Sequence, residues 1–280
     1  MRHVRAYAFA GFAALVAGAV AFAQTTVEPL QDNPPVDAAP LDADILAAVE
    51  QARPGDPQRG ATLAGACAAC HGLDGNAEAD PSLYPRIAGQ SERYIARQLA
   101  LFKSGQRQNA IMAPYAEPLS AQDMRDLGAH FASQTSGAGL ADDAEVTEGP
   151  YAGMKFYEIG QKLFRGGDAS RGIPACLACH GPAGQGNPGP AYPHVAGQQS
   201  WYTARRLQEY RAGTTQEQDR HLFDIMAEVA RNLTDEEIQA LASYMQGLHP
   251  RPDAKTRAAI EAAAKASSAQ DAAPAEAAAP

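Results

Sequence analysis

The 280-residue chain carries 23 basic and 32 acidic side chains, a formal net charge of −9, and its acidic balance argues against a nucleic-acid binder. An apolar fraction of 45% supports ordinary cores, the length suits two domains, and 4 cysteines are too few for a disulfide scaffold of this size. Aromatic residues make up only 7% with a single Trp, so the cores are small or are filled by something other than side chains.

Met1-Arg-His-Val-Arg5 is basic, Ala6 to Val20 is apolar, and Ala21-Phe-Ala23 supplies a small-x-small site. This predicts an export signal over residues 1–23, cleaved after Ala23. The apolar stretch is shorter than the roughly 20 residues that cross a bilayer; an N-terminal membrane anchor is the alternative. Residues 24–50 hold Pro29, Pro34, Pro35 and Pro40 with 6 acids and no base, predicting a Pro-rich acidic disordered segment.

Residues 51–135 form a first predicted domain, with helices around Gln58–Ala66 and over Tyr94–Phe102, the latter closed near Gly105. A third helix starts at the cap signal Ser120-Ala-Gln-Asp123 and runs through Met124, Leu127 and Phe131. Residues 136–152, beginning Ser136-Gly-Ala-Gly-Leu and rich in acids, read as a linker. The second predicted domain, 153–250, repeats the pattern: helices over Met154–Leu163 and Tyr202–Tyr210, closure near Gly213, and a Thr234–Glu237 capping box leading into Ile238, Leu241, Met245 and Leu248. Residues 251–280 are Ala-rich without a large-apolar stripe and are expected to be a disordered tail, at most a frayed helix over Lys255–Lys265. The acidic charge thus sits in the connecting segments, and both domains are close to neutral.

The two domains are copies of one module. Cys67-Ala-Ala-Cys70-His71-Gly72 matches Cys176-Leu-Ala-Cys179-His180-Gly181 at an offset of 109. Tyr84-Pro-Arg-Ile-Ala-Gly-Gln90 matches Tyr192-Pro-His-Val-Ala-Gly-Gln198 at 108, and Leu119-Ser120 matches Leu233-Thr234 at 114. Order is kept across the blocks, which marks a duplication. No alternating strand pattern appears, so each module is a small all-α domain with long Gly- and Pro-containing loops. Such a module buries little by itself and gains from an embedded cofactor.

Cys-x-x-Cys-His is the attachment pattern for c-type haem. Two thiols on one helical turn reach the two vinyl groups, and the next residue aims a ring nitrogen at the iron. A thioredoxin-like pair needs a strand context that is missing, and a four-Cys zinc site needs closer pairs. The reading is therefore two covalent haem c, attached at Cys67, Cys70, Cys176 and Cys179, with His71 and His180 as axial ligands. Only Met112 and Met226 recur as the opposite ligands, each 8 residues before its cap. Met124 aligns with Ile238 and Met245 with Phe131, so both are expected in the core. His194 aligns with Arg86, His130 with Tyr244, and His221 lies in an insertion. A thioether favours Fe(II) and suits an electron carrier.

Cys176-Leu-Ala-Cys-His-Gly-Pro, Gly184-Gln-Gly-Asn-Pro, Tyr192-Pro-His-Val-Ala-Gly-Gln and Leu233-Thr-Asp-Glu-Glu-Ile with Leu241-Ala-Ser-Tyr-Met-Gln-Gly-Leu resemble the cytochrome c4 family of di-haem, two-domain class I cytochromes. The resemblance covers about residues 57–250. It implies two tandem cytochrome c domains facing each other, each wrapped around a covalent haem. It also implies periplasmic transfer of single electrons from a quinol-oxidising respiratory complex to a terminal oxidase, with peripheral membrane association and no small-molecule substrate. Family ligation falls on His71 with Met112 and His180 with Met226. A Pro carbonyl that fixes the proximal His is expected at Pro85 and Pro193, and Arg97, Arg205, Tyr94, Tyr202 and Trp201 are expected near the haem propionates. Departures are the 24–50 segment, the tail, and His221-Leu-Phe-Asp-Ile-Met226. Two rival functions are the haem subunit of a flavocytochrome-type dehydrogenase and a di-haem peroxidase. The second needs an iron with an open position, against the repeated Met.

Overall fold

The structure, a computed structural model, describes residues 44–250 apart from Ala79, together with Ala254, 257–259 and Ala262. The expected export signal, most of the 24–50 segment and most of the tail lie outside the described residues. Every regular element among the described residues is helical, as the periodicity predicts.

In the first module α1 (Asp44–Gln51), α2 (Pro57–Leu63), α3 (Gly65–His71), α4 (Glu92–Lys103), α5 (Met112–Ala116) and α6 (Ala121–Ala132) follow in order. In the second come α7 (Phe156–Gly166), α8 (Leu177–His180), α9 (Ser200–Ala212), α10 (His221–Ala230) and α11 (Asp235–Gly247). Local chemistry sets the starts. The Asp56 carboxylate accepts from the Gln58 and Arg59 amides and Pro57 opens α2. Ser120 with Asp123 and Thr234 with Glu237 close reciprocal capping boxes on α6 and α11.

In each module the helix before the Cys motif crosses the last helix at a glycine. A Cβ on Gly60 would stand 2.0 Å from the Asp126 carbonyl oxygen, and one on Gly160 would stand 2.1 Å from that of Ala240. Only a residue without Cβ lets α2 lie on α6, or α7 on α11, so closely. Around the second crossing Ile159, Leu163, Phe164, Ile238, Leu241 and Met245 form one buried cluster. Beside it, buried Glu237 accepts from both Arg171 and Tyr151.

The structure changes one expectation about the connecting segments and adds detail to another. The end of the 24–50 segment is ordered as α1, because Ile45 and Val49, one helical turn apart, bury against Ala96, Ala100 and Met124. The 136–152 linker is packed along the modules. Gly137 N–H donates to Asn76 Oδ1 at 2.7 Å, Gly139 N–H to the Gln246 carbonyl at 2.9 Å, and Asp142 N–H to Ser243 Oγ at 2.7 Å.

The modules face each other across a pseudo-twofold axis. Gln108 Nε2 donates to Gln216 Oε1 at 3.1 Å, and these are counterparts at the 108-residue offset. Such a self-contact marks the axis of an isologous interface. Around it the bonds come in reciprocal pairs: Trp201 Nε1 donates to the Pro81 carbonyl, and its counterpart Arg93 donates to the Gly189 carbonyl.

Candidate haem sites

In the first module Cys67 and Cys70 occupy one turn of α3, which ends on His71 and is stopped by Gly72 at φ 77°. In the second Cys176 caps α8, which ends on His180 and is stopped by Gly181 at φ 79°. In both modules the chain then runs in a Gly-containing loop back to the Tyr-Pro motif. His71 Nδ1 lies 2.9 Å from the Pro85 carbonyl oxygen, and His180 Nδ1 lies 2.9 Å from that of Pro193. A carbonyl only accepts, so Nδ1 carries the proton, and Nε2 of a neutral ring keeps its lone pair. Burial pushes both imidazoles below the ordinary histidine range, against the opposing pull of the Pro carbonyls. The Tyr84 ring meets His71 in an edge arrangement with centroids 6.2 Å apart, and the Tyr192 ring lies tilted to His180 at 6.3 Å.

None of the four cysteines forms a disulfide. Burial pushes Cys67 up, and Cys176 up to about 11. A reactive redox dithiol needs the opposite shift. Neutral buried imidazoles with a bare Nε2, beside paired thiols, fit a covalently attached haem in each module.

Met112 opens α5, where Asn109 Oδ1 holds its amide at 2.9 Å. Met226 sits inside α10, half-buried against the second module's core. The stretch before it, which departs from the family pattern, is the first turn of α10, with Phe223 buried against the Tyr210 ring at 5.1 Å. Met124 and Met245 are in the core.

Several of the residues expected near propionates have protein partners. Arg97 pairs with Glu217 at 2.8 Å, both nearly buried, and so joins the modules. Arg205 pairs with Glu209 along its own helix, and Trp201 bonds Pro81. Tyr202 Oη accepts from Arg107 at 2.9 Å. Burial would raise the Tyr202 phenol, but Arg107 and Arg206 bring it below its ordinary range, while burial pushes Tyr94 up. The arginines among these interface tyrosines are thus Arg107 and Arg206, neither of which the repeat alignment pairs.

Sequence reasoning missed Gln90 and Gln198. Both are buried, and both reach into the opposite module. Gln198 Nε2 donates to the Arg86 carbonyl at 2.8 Å, and Gln90 Nε2 to the His194 carbonyl at 2.6 Å. Their repetition at the end of Tyr-Pro-x-x-Ala-Gly-Gln was the available signal.

The Cytochrome c family model matches residues 57–135 and again 157–249. The chain is 40% identical over 196 residues to cytochrome c4 of Pseudomonas aeruginosa, covering 70% of this chain and 90% of that one. It is 36% identical over 201 residues to the thiosulfate dehydrogenase electron acceptor of Stutzerimonas stutzeri (strain A1501), covering 69% and 87%. The crystal structure of reduced recombinant cytochrome c4 from Pseudomonas stutzeri superposes with a TM-score of 0.61 at 39% identity, covering 70% of this chain and 100% of that one. With two cytochrome c domains, four cysteines for two covalent haem c and this likeness in sequence and fold, the chain belongs to the cytochrome c4 family of di-haem electron carriers.

Proposed function

We propose that this chain is a periplasmic carrier of single electrons, accepting them from a quinol-oxidising respiratory complex and delivering them to a terminal oxidase or another acceptor. Cys67 and Cys70 would hold the first haem, with His71 and Met112 as its iron ligands. Cys176 and Cys179 would hold the second, with His180 and Met226. A bound haem supplies a one-electron Fe(III)/Fe(II) couple. The protein's part would be to fix each imidazole through its Pro carbonyl and to supply a histidine and a methionine to each iron. The observation that carries this reading is the duplicated geometry of His71 on Pro85 and His180 on Pro193. Among the described residues no helix is long and apolar enough to cross a membrane.

A second reading shares the same chemistry: the chain takes electrons from a sulfur-compound dehydrogenase. The 36% identity to a protein named thiosulfate dehydrogenase electron acceptor favours it. Mild co-purification followed by donor assays separates the two donors.

Exported protein is expected to retain two haems after acid–acetone extraction, and Cys179→Ala is expected to remove or weaken attachment in the second module only, where Cys176 alone remains. Met226→Ala is expected to open one iron to carbon monoxide and lower its potential, since a soft ligand favouring Fe(II) is gone. One haem per chain, or fast peroxide turnover by the wild type, would overturn the carrier reading.

A further inference from the structure

We propose that Gln90 and Gln198 are positioning residues that tune the haem of the opposite module through the peptide group holding its proximal histidine. The inference rests on the His71 and His180 ligation proposed above. In the first module one peptide group does two things. Its carbonyl, from Pro85, accepts from His71 Nδ1 at 2.9 Å. Its N–H, from Arg86, donates to Gln198 Oε1 of the second module at 2.9 Å. The second module mirrors this. The Pro193 carbonyl accepts from His180 at 2.9 Å, and the His194 N–H of the same peptide donates to Gln90 Oε1 at 3.0 Å.

A peptide group is conjugated. Charge drawn out at its N–H collects on its carbonyl oxygen, so hydrogen bonds in series strengthen one another, by roughly 10–30% per bond. Each glutamine therefore makes the Pro carbonyl a better acceptor. A better acceptor draws the Nδ1 proton further, makes Nε2 more basic, and stabilises the ferric state. The amides cannot reverse without loss. Gln198 Nε2 donates to the Arg86 carbonyl and Gln90 Nε2 to the His194 carbonyl, so a flip sets donor against donor at the peptide N–H.

The device is not symmetric. Arg86 N–H also faces Gln199 Oε1 at 2.9 Å. The counterpart of Gln199 is Ser91, whose hydroxyl caps α4 through the Tyr94 amide. The first haem's peptide thus has two acceptors and the second has one. Loss of Gln198 is buffered by Gln199, and loss of Gln90 is not.

The test compares wild type, Gln90→Leu, Gln90→Glu, Gln198→Leu and Trp201→Phe, all as di-haem holoprotein. Spectroelectrochemical titration gives both potentials, and proton NMR of the reduced protein gives the two histidine Nδ1–H resonances. Gln90→Leu is expected to move the His180 Nδ1–H upfield and raise the second haem's potential, leaving His71 in place. Gln198→Leu is expected to do the same to the first haem by a smaller amount. Gln90→Glu keeps an acceptor at the His194 amide and is expected to hold or lower the potential that Leu raises. Trp201→Phe removes a different bond between the modules and is expected to leave both resonances in place. The proposal is overturned if Gln90→Leu moves neither reporter, if it moves both haems alike, or if Trp201→Phe reproduces its effect. Should Gln90→Leu not assemble, a Gln90→Glu protein with the second haem's potential raised overturns it as well. Wild-type spectra lacking two His–Met haems would instead refute the ligation itself.

Discussion

The helix that composition hid offers the sharpest stability test. Ile45 and Val49 are 7% and 3% exposed, and they cover Ala96 and Ala100 of α4 and Met124 of α6. Arg125 also donates to the Val49 carbonyl and Arg93 pairs with Glu50 at 2.9 Å. The double substitution Ile45→Ala, Val49→Ala removes five buried carbons, and at about 0.8 kcal/mol each that is about 4 kcal/mol. A surface-edge site collapses more readily than a central one, so about 3 kcal/mol is expected. The cluster lies wholly in the first module, so the loss is local. Hydrogen exchange read by mass spectrometry is expected to speed up in α4 and α6 and stay unchanged in α7 and α11. Both haem spectra are expected to persist at neutral pH. Equal protection of α4 and α6 in variant and wild type would refute the assignment of α1 as part of the core.

Three further outcomes follow from packing and charge. Gly160→Ala is expected to cost about 1–3 kcal/mol in denaturant unfolding, since its Cβ would meet the Ala240 carbonyl at 2.1 Å; an unchanged midpoint would show that α7 and α11 cross elsewhere. Arg97→Gln strands nearly buried Glu217 and is expected to cost about 3 kcal/mol, with small-angle scattering showing looser modules; an unchanged profile and midpoint refute its role as a tie. Burial would raise the Glu237 carboxyl, but hydrogen bonds from Arg171 and Tyr151 hold it below its ordinary range. Its contribution is therefore complete above about pH 4.3, the free glutamate value, and is lost as pH falls through the lower folded value. Glu237→Gln is expected to flatten that acid limb, and an unaltered limb refutes the assignment.

Features written in local chemistry were legible from the residues. The Ser120 and Thr234 caps placed α6 and α11, and the duplicated Cys motifs placed α3 and α8. What escaped depends on partners far away in sequence. α1 offers only Ile45, Leu46 and Val49 as large apolar residues, in a Pro-rich setting, and becomes a helix because α4 and α6 offer a surface. Arg97 recurs as Arg205 at an offset of 108, and the family resemblance points both at a propionate. The ion-pair partner of Arg97, Glu217, sits in the six residues inserted between Gly213 and Met226, which have no counterpart to align. Gln90 and Gln198 were visible as repeated letters, but a glutamine's role depends on which backbone it meets.

A duplicated chain that packs on itself tends toward two equivalent halves, and equivalent halves give an electron no direction. The reciprocal bonds of Gln90 and Gln198, and the self-contact of Gln108 with Gln216, are the inheritance of that symmetry. The departures from it fall beside the two iron sites. Gln199 supplies an extra acceptor to the first module's peptide where Ser91 supplies none to the second. Met112 is held at the start of a short helix by Asn109, whereas Met226 is carried within the longer α10. The insertion that lengthens this region also brings Glu217 to Arg97. The lengthened region that carries Met226 within α10 thus also ties the modules through Glu217, so a change that unequalises the two halves need not separate them.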